Sequence, residues 1–362
     1  MSNTEKFSAK ELEYYSRQIV LKEIGYNGQL KLKKAKVCII GVGGLGSSVA
    51  TQLTAMGIGH LRVIDRDIVE LSNLHRQHLY DTDSIGYPKV EVAAKKLRKL
   101  NPNIEVEPLP VSVNTSNALE MIDEADVVVD GLDHMAPRYA VNRACTKQGI
   151  PYVFGSAIMT MGNASTIMPN ETPCLECFYG NLDDTTLPSC AIVGVHPAVL
   201  SVIAGMEVSE TVKLILGERP SLAGKLLFYD LRDASFEKII VSKAESCPIC
   251  GTKPRGEPMP LKEEVIEEVC GREGKRTFII SPKKLLKLNM KALQSLLQEK
   301  GLTITTKAEL GITFKPEESA SVSILSSGIM IIEGFREAEK ARHLYDELIV
   351  KGLGLGADIL EN

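Results

Sequence analysis

The sequence predicts an α/β protein whose main sheet is mixed, parallel in its first half and antiparallel in its second, followed by a small C-terminal α+β module. Three observations predict it. Apolar runs rich in β-branched residues alternate with helical stretches over residues 36–155. The later apolar runs are less separated by helix. The composition then shifts after Cys250, where the glycines and prolines of GTKPRGEPMP read as a linker.

Strands are expected over 36–40, 61–65, 104–108, 126–130 and 151–155, with helices over 44–56, 89–101, 117–124 and 137–149. That alternation implies right-handed crossovers and a parallel sheet covered on both faces. Strands over 162–168, 225–229 and 237–241 then pair antiparallel. Beyond the linker the pattern gives strands over 276–281, 301–307, 310–315, 321–326 and 328–333, with Ser327-Gly328 as a tight turn. Helices over 290–300 and 336–350 complete the module. The chain divides accordingly into residues 1–253 and 254–362, as its length of 362 residues favours, since one hydrophobic core rarely keeps growing that far.

Charge and composition exclude several classes. Lys and Arg number 42 against 46 Asp and Glu, a net charge of −4, which gives no general basic field for nucleic acid. Residues 37–59 and 191–206 are uncharged runs, yet neither predicts a membrane span: the first is broken by glycines, serines and threonines, and the second is short and holds His196 and Pro197. The polar start MSNTEKFSAKELEYYSRQ lacks the apolar segment of a signal peptide, so a cytoplasmic location is expected.

Gly41-Val-Gly43-Gly44-Leu-Gly46 follows the first strand and opens a helix, and Asp65 ends the next strand nineteen residues after Gly46. This is the context of a Rossmann-like nucleotide site. Glycines permit close backbone approach, a helix N-terminus offers free N–H groups to phosphate, and Asp65 can accept from ribose hydroxyls. The loop by itself does not choose among NAD, FAD and ATP. The next stretch does more. It supplies Asp67, Asn73, Arg76 and Gln77, and Gly86-Tyr-Pro-Lys89 adds a cation at a helix start. A triphosphate site needs fixed cations, a requirement that Arg76 and Lys89 meet, although singly such side chains are usually solvated.

Cys174-Leu-Glu-Cys177 and Cys247-Pro-Ile-Cys250 form two CxxC pairs separated by 69 residues. Four thiolates suit a tetrahedral Zn²⁺ with no open position, hence a structural zinc; a redox pair and buried cysteine pairs are the rival readings. Cys190 follows a polar stretch and precedes an apolar run that starts a helix, a context that can stabilise a thiolate; a semi-buried cysteine without chemistry is the alternative. Cys38 and Cys145 read as core, and His75, His78 and His196 as local hydrogen-bonding residues.

At these residues the chain resembles the ThiF/MoeB family, adenylyltransferases related to ubiquitin-activating enzymes. YSRQIVL, GVGGLGS, DRDIVELSNLHRQ, GYPK, VVDGLDHMAPRYAVN, CLEC, PSCAIVGVHP and CPIC occur in the family's order, from about residue 14 to residue 250. The resemblance implies ATP- and Mg²⁺-dependent adenylation of the C-terminal glycine of a ubiquitin-fold protein ending in Gly-Gly, with release of pyrophosphate. It implies that Gly43 lies against phosphates, that Asp65 binds ribose, and that Asn73, Arg76 and Lys89 contact phosphates. Asp133 corresponds to a Mg²⁺ acid, but His134 stands where the family has asparagine. Asp130 is its neighbour with a structural reading. Arg17 matches an arginine inserted into the neighbouring subunit's site, implying a homodimer. Cys190 matches a cysteine that in some members forms a thioester or sulfur-linked bond, which would hand the product to a conjugating or sulfur-transfer protein. An NAD-dependent oxidoreductase and a non-catalytic scaffold for a ubiquitin-fold protein are the competing functions. No rhodanese pattern is recognised after residue 260.

Overall fold

The computed structural model describes residues 6–184, 193–261, 264–270, 276–356 and 359–360. Three helices that the sequence pattern does not predict come first: α1 (Ala9–Tyr14), α2 (Ser16–Ile19) and α3 (Gly25–Lys34). Ser8 and Glu11 start α1 with a reciprocal capping box, each side chain accepting from the other's backbone N–H.

The main unit continues with β1 (Lys36–Ile40), α4 (Gly44–Met56), β2 (His60–Ile64), α5 (Lys89–Leu100), β3 (Glu105–Leu109), α6 (Ala118–Met121), β4 (Val127–Asp130) and α7 (Met135–Gln148). Then follow β5 (Tyr152–Ile158), β6 (Met161–Ile167), α8 (Leu175–Tyr179), α9 (Pro197–Leu216), β7 (Lys225–Asp230) and β8 (Ser235–Ile240). The sheet runs β3-β2-β1-β4-β5-β6-β7-β8. Its first five strands are parallel and β6, β7 and β8 pair antiparallel, as the pattern predicts. Val37, Cys38, Ile39 and Ile40 of β1 are all buried, consistent with helices on both faces. Because β1 lies between β2 and β4, the chain switches direction there, and the crevice beyond the strand ends is the expected ligand position.

Helix α9 is the largest departure from the sequence pattern, which yields only its start. Apolar nearly all round, it is buried against α4, β5 and β6. No helix among the described residues is long and apolar enough to cross a membrane. Two acids point inward from α9. Glu210 accepts from Ser221 N, Leu222 N and Thr166 Oγ1. Glu207 is fully buried with no hydrogen-bond partner for either oxygen among the described residues, and a Cβ on Gly155 would lie 2.4 Å from its carboxyl carbon.

Burial holds Glu207 well above the usual carboxylate range. Protonated when folded and ionised when unfolded, it contributes stability that is full below the unfolded pKa of about 4.3 and declines as pH rises toward the folded value. Glu207→Gln should therefore flatten the fall in Tm between about pH 4.5 and 7.5 relative to the native chain. Parallel Tm curves for the two proteins would contradict this.

The C-terminal part forms a second sheet from β9 (Ile266–Cys270), β10 (Arg276–Ile280), β11 (Thr303–Lys307), β12 (Gly311–Lys315), β13 (Ser321–Leu325) and β14 (Met330–Glu333). Its order is β11-β12-β13-β14-β10-β9, antiparallel throughout. Helices α10 (Met290–Glu299) and α11 (Ala338–Tyr345) pack on it around buried Phe278, Phe314 and Tyr345. Strand β9 is not predicted by the sequence pattern, because adjacent Glu267 and Glu268 break the alternation.

Candidate functional site

The glycines of the first crossover serve different purposes. Gly41 has φ +89° and a Cβ there would meet Gly131 O at 2.5 Å; a Cβ on Gly46 would lie 1.8 Å from Gly41 O. These two let the ends of β1 and β4 and the start of α4 approach one another. Gly44 leaves room for Leu200 of α9, 2.7 Å from its would-be Cβ. Gly43 is different: among the described residues a Cβ there meets only Gln77 Nε2, at 3.8 Å, and no side chain caps α4 at this position. The fold thus leaves this helix N-terminus open to an anion. Gly46→Ala should lower stability by about 3 kcal/mol or more through overpacking, whereas Gly43→Ala should keep the fold and weaken nucleotide binding. Thermal melts and nucleotide titration separate the two outcomes, and an unaltered melt for Gly46→Ala would contradict the packing assignment.

Asp65, just past β2, ties itself to this turn: Oδ2 accepts from Val42 N and Oδ1 from Asp67 N, both at 2.8 Å. Each oxygen keeps a lone pair for another donor. Burial pushes this acid up, against the opposing pull of Lys89. Tyr80, missed by the sequence pattern, braces the same turn by donating to Val42 O at 2.8 Å. Lys89, only 5% exposed at the start of α5, donates to Asp67 Oδ2 at 2.9 Å. Burial disfavours both charges, but the pair outweighs it: Lys89 is held above and Asp67 below its ordinary value.

The loop between Asp67 and Lys89 carries the remaining candidates. Asn73 is buried and its Oδ1 accepts from Glu70 N at 3.1 Å, so it shapes a turn. Arg76 Nη1 donates to Ser72 O at 2.8 Å. Gln77 is 3% exposed; its Oε1 has no hydrogen-bond partner among the described residues, and its Nε2 faces Gly43. A buried amide with an unmet oxygen beside an uncapped helix start fits a polar ligand in the crevice.

Beyond β4, two acids differ sharply. Asp130 is fully buried and accepts from Arg138 Nε at 3.0 Å, Tyr152 OH at 2.5 Å and Leu132 N at 2.8 Å. It is structural, as its strand-end position predicts. The Asp133 side chain is 73% exposed and accepts from His134 Nδ1 at 2.7 Å. That bond pushes the His134 imidazole up to about 9, so it is a cation at neutral pH. Where the family pattern has a neutral amide, this chain sets a positive charge against the acid.

Two described residues upstream of Cys190, Leu182 and Asp184, are anchored by hydrogen bonds. Asp184 accepts from Met135 N at 2.6 Å and Ala136 N at 3.0 Å, capping α7 beside Asp133, and Leu182 N donates to Tyr139 OH at 3.0 Å. Asp184 has no signal in the sequence, since its helix lies some fifty residues away. Cys190 lies outside the described residues. Arg17 is exposed on α2 near exposed Leu12, Tyr14, Val20 and Leu21.

The four cysteines do converge. All four sulfur atoms of Cys174, Cys177, Cys247 and Cys250 lie within 4.8 Å of one another, with Cys174 to Cys247 at 3.7 Å and Cys177 to Cys250 at 3.5 Å. A tetrahedron with Zn–S bonds of about 2.3 Å has edges of about 3.8 Å, so this donor set fits zinc. Cys174 does precede a five-residue helix, α8, but its sulfur faces the second CxxC rather than standing in an isolated redox pair.

Comparison with known proteins supplies context. The pattern of the ThiF family matches residues 15–249. The chain is 40% identical over 255 residues to a sulfur carrier protein adenylyltransferase of Thermus thermophilus, covering 69% of this chain and 94% of that one. A SAMP-activating enzyme E1 of Haloferax volcanii is 39% identical over 68% of this chain and 92% of its own. A sulfur carrier protein ThiS adenylyltransferase of Bacillus subtilis is 33% identical over 92% of this chain and 98% of its own. Among solved structures, E. coli MccB with ATP superposes with a TM-score of 0.58 at 27% identity, covering 69% of this chain and 75% of that one.

Proposed function

Because this chain belongs to the ThiF family, we propose that it is an enzyme that uses ATP to adenylate the C-terminal glycine of a ubiquitin-fold protein ending in Gly-Gly, releasing pyrophosphate. The observation that carries this reading is the open helix start at Gly43, flanked by the unsatisfied Gln77 amide and the buried Lys89.

A glycine carboxylate attacking the α-phosphate brings two anions together; the new bond forms at the α-phosphorus as its bond to the β-phosphate oxygen breaks. The residues must therefore present positive charge in advance. The α4 N-terminus and Gly43 meet the phosphates, Arg76 offers a planar fork, and Lys89 a point charge. Gly41, Gly44 and Gly46 shape the turn, Asp65 accepts from ribose, Asp67 orients Lys89, and Asn73 holds the loop. Asp133 is the residue that would hold Mg²⁺, which screens the leaving pyrophosphate when bound. Arg17 enters the site of a second copy in a homodimer, and exposed Leu12, Tyr14, Val20 and Leu21 around it suit burial in that contact. Exposed Met159, Met161, Phe228, Phe236, Ile239 and Ile240 at the antiparallel end of the sheet give a protein substrate an apolar surface to rest on.

Cys174, Cys177, Cys247 and Cys250 would hold a structural zinc. The Cys190 thiolate would attack the acyl-adenylate carbonyl, forming a thioester as AMP leaves; a sulfur-linked bond would instead require a persulfide sulfur delivered to Cys190 by a sulfur-transfer protein, and either product passes to a conjugating or sulfur-transfer protein downstream. The similar proteins described above carry names of adenylyl transfer and activation, which favours ATP over NAD and turnover over a scaffold. Neither nucleic acid nor a membrane enters this reading, which suits a cytoplasmic enzyme.

The test is intact mass spectrometry after incubation with ATP–Mg²⁺ and small proteins ending in Gly-Gly. A covalent adduct at Cys190, cleaved by reductant or by hydroxylamine, supports the cysteine step. An acyl-adenylate without adduct supports adenylation alone, and neither product contradicts both.

A further inference from the structure

The C-terminal sheet is docked on the neck of the loop that carries Asn73, Arg76 and Gln77. This loop leaves β2 after Asp65 and returns at Lys89. Its two ends pair through an antiparallel bridge between Ile68 and Pro88, with Val69 N donating to Tyr87 O and Gly86 N to Val69 O, each at 2.9 Å. The second sheet holds both sides of that neck. On the outgoing side, Glu267 of β9 accepts from Arg66 Nη1 at 2.6 Å and Nη2 at 2.8 Å, a two-point pair that fixes orientation as well as distance. Ile68 is buried among Ile279, Leu325, Ile329 and Ile331 of the second sheet. On the returning side, Thr313 Oγ1 donates to Gly86 O at 2.8 Å, and the Glu91 carboxylate accepts from Glu309 N at 3.0 Å and Leu310 N at 2.7 Å. The Lys89–Asp67 pair lies between these two sets of contacts.

We infer that the C-terminal module is a brace for the nucleotide loop, with Arg66, Glu267 and Glu91 acting as positioning residues; the inference rests on the ATP site proposed above. The physical reason is geometric. A loop of about twenty residues has backbone freedom of about 1–2 kcal/mol per residue to lose, and a cation misplaced by about 1 Å can slow a reaction about a hundredfold. Holding both sides of the neck removes that freedom before substrate arrives. Neither Arg66 nor Glu267 needs to touch the nucleotide for this to matter.

The experiment uses the full-length chain and compares Glu267→Gln, Glu91→Gln and the exchanged pair Arg66→Glu with Glu267→Arg. Two readouts are taken: amide hydrogen exchange over residues 66–88 without ATP, and ATP–pyrophosphate exchange with a Gly-Gly protein substrate. Each single variant should speed amide exchange in 66–88 about tenfold while the first five strands keep their protection. The KM for ATP should rise about tenfold while that for the protein substrate is unchanged. The exchanged pair should recover both. Adding Glu267→Gln to Arg76→Ala should cause little further loss, because the brace acts through the loop that carries Arg76. Unchanged protection of the loop, loss of protection spread evenly through the chain, or faster amide exchange with an unaltered KM for ATP would each overturn the inference. If the native chain itself shows no pyrophosphate exchange, the ATP reading fails, and the loop-protection result still decides whether the module braces this segment.

Discussion

Arg76→Ala should slow ATP–pyrophosphate exchange about a hundredfold while circular dichroism and Tm stay near native values, because one charged donor at a developing anion is worth about 3 kcal/mol of barrier. Among its contacts, the Arg76 guanidinium donates to Ser72 O within its own turn, on a surface loop rather than in a core cluster. Asp133→Ala should behave alike, since its exposed carboxylate meets a neighbouring imidazole rather than the core. Lys89→Ala should instead lose stability along with exchange, because it leaves Asp67 without the cation that holds it ionised. Exchange rates that are unchanged in Arg76→Ala and Asp133→Ala would contradict the site assignment.

The second large effect concerns the four thiols. One zinc per chain should be found by elemental analysis, and strong chelation or Cys250→Ser should lower Tm by more than about 10 °C. The reason lies in where the ligands sit. Cys174 and Cys177 bracket the start of α8, whereas Cys247 and Cys250 lie past β8, so the ion would tie together segments 69 residues apart in the chain. The structural placement of the site makes unfolding, rather than a specific inhibition of the folded enzyme, the expected consequence. A metal-free chain with a native Tm would contradict it.

Much of this architecture was legible because local chemistry and global fold agree. The parallel half announces itself as β-branched runs with helical periods between them, and the glycine turn, Asp65 and Lys89 fall at fixed offsets from those strands. The cysteine pairs were readable from their spacing because metal geometry demands it. What escaped depends on the third dimension. α9 is apolar on nearly every face, so its sequence has no amphipathic period to betray it. The helices before β1 are short, although the Ser8-x-x-Glu11 capping box marks the first. The separate duties of Gly41, Gly43, Gly44 and Gly46 are invisible in a motif and appear only once Gly131 and Leu200 are brought beside them. Gln77 shows its unmet oxygen, and Asp184 its helix cap, only through distant partners.

The most direct measurement of the central claim is ATP–pyrophosphate exchange by the purified chain with Mg²⁺, with and without a ubiquitin-fold protein ending in Gly-Gly. Exchange should appear with that protein, vanish when its terminal glycine is removed, and be unaffected by NAD. Binding of NAD in the Gly43 crevice, with no exchange on any Gly-Gly protein, would contradict the account.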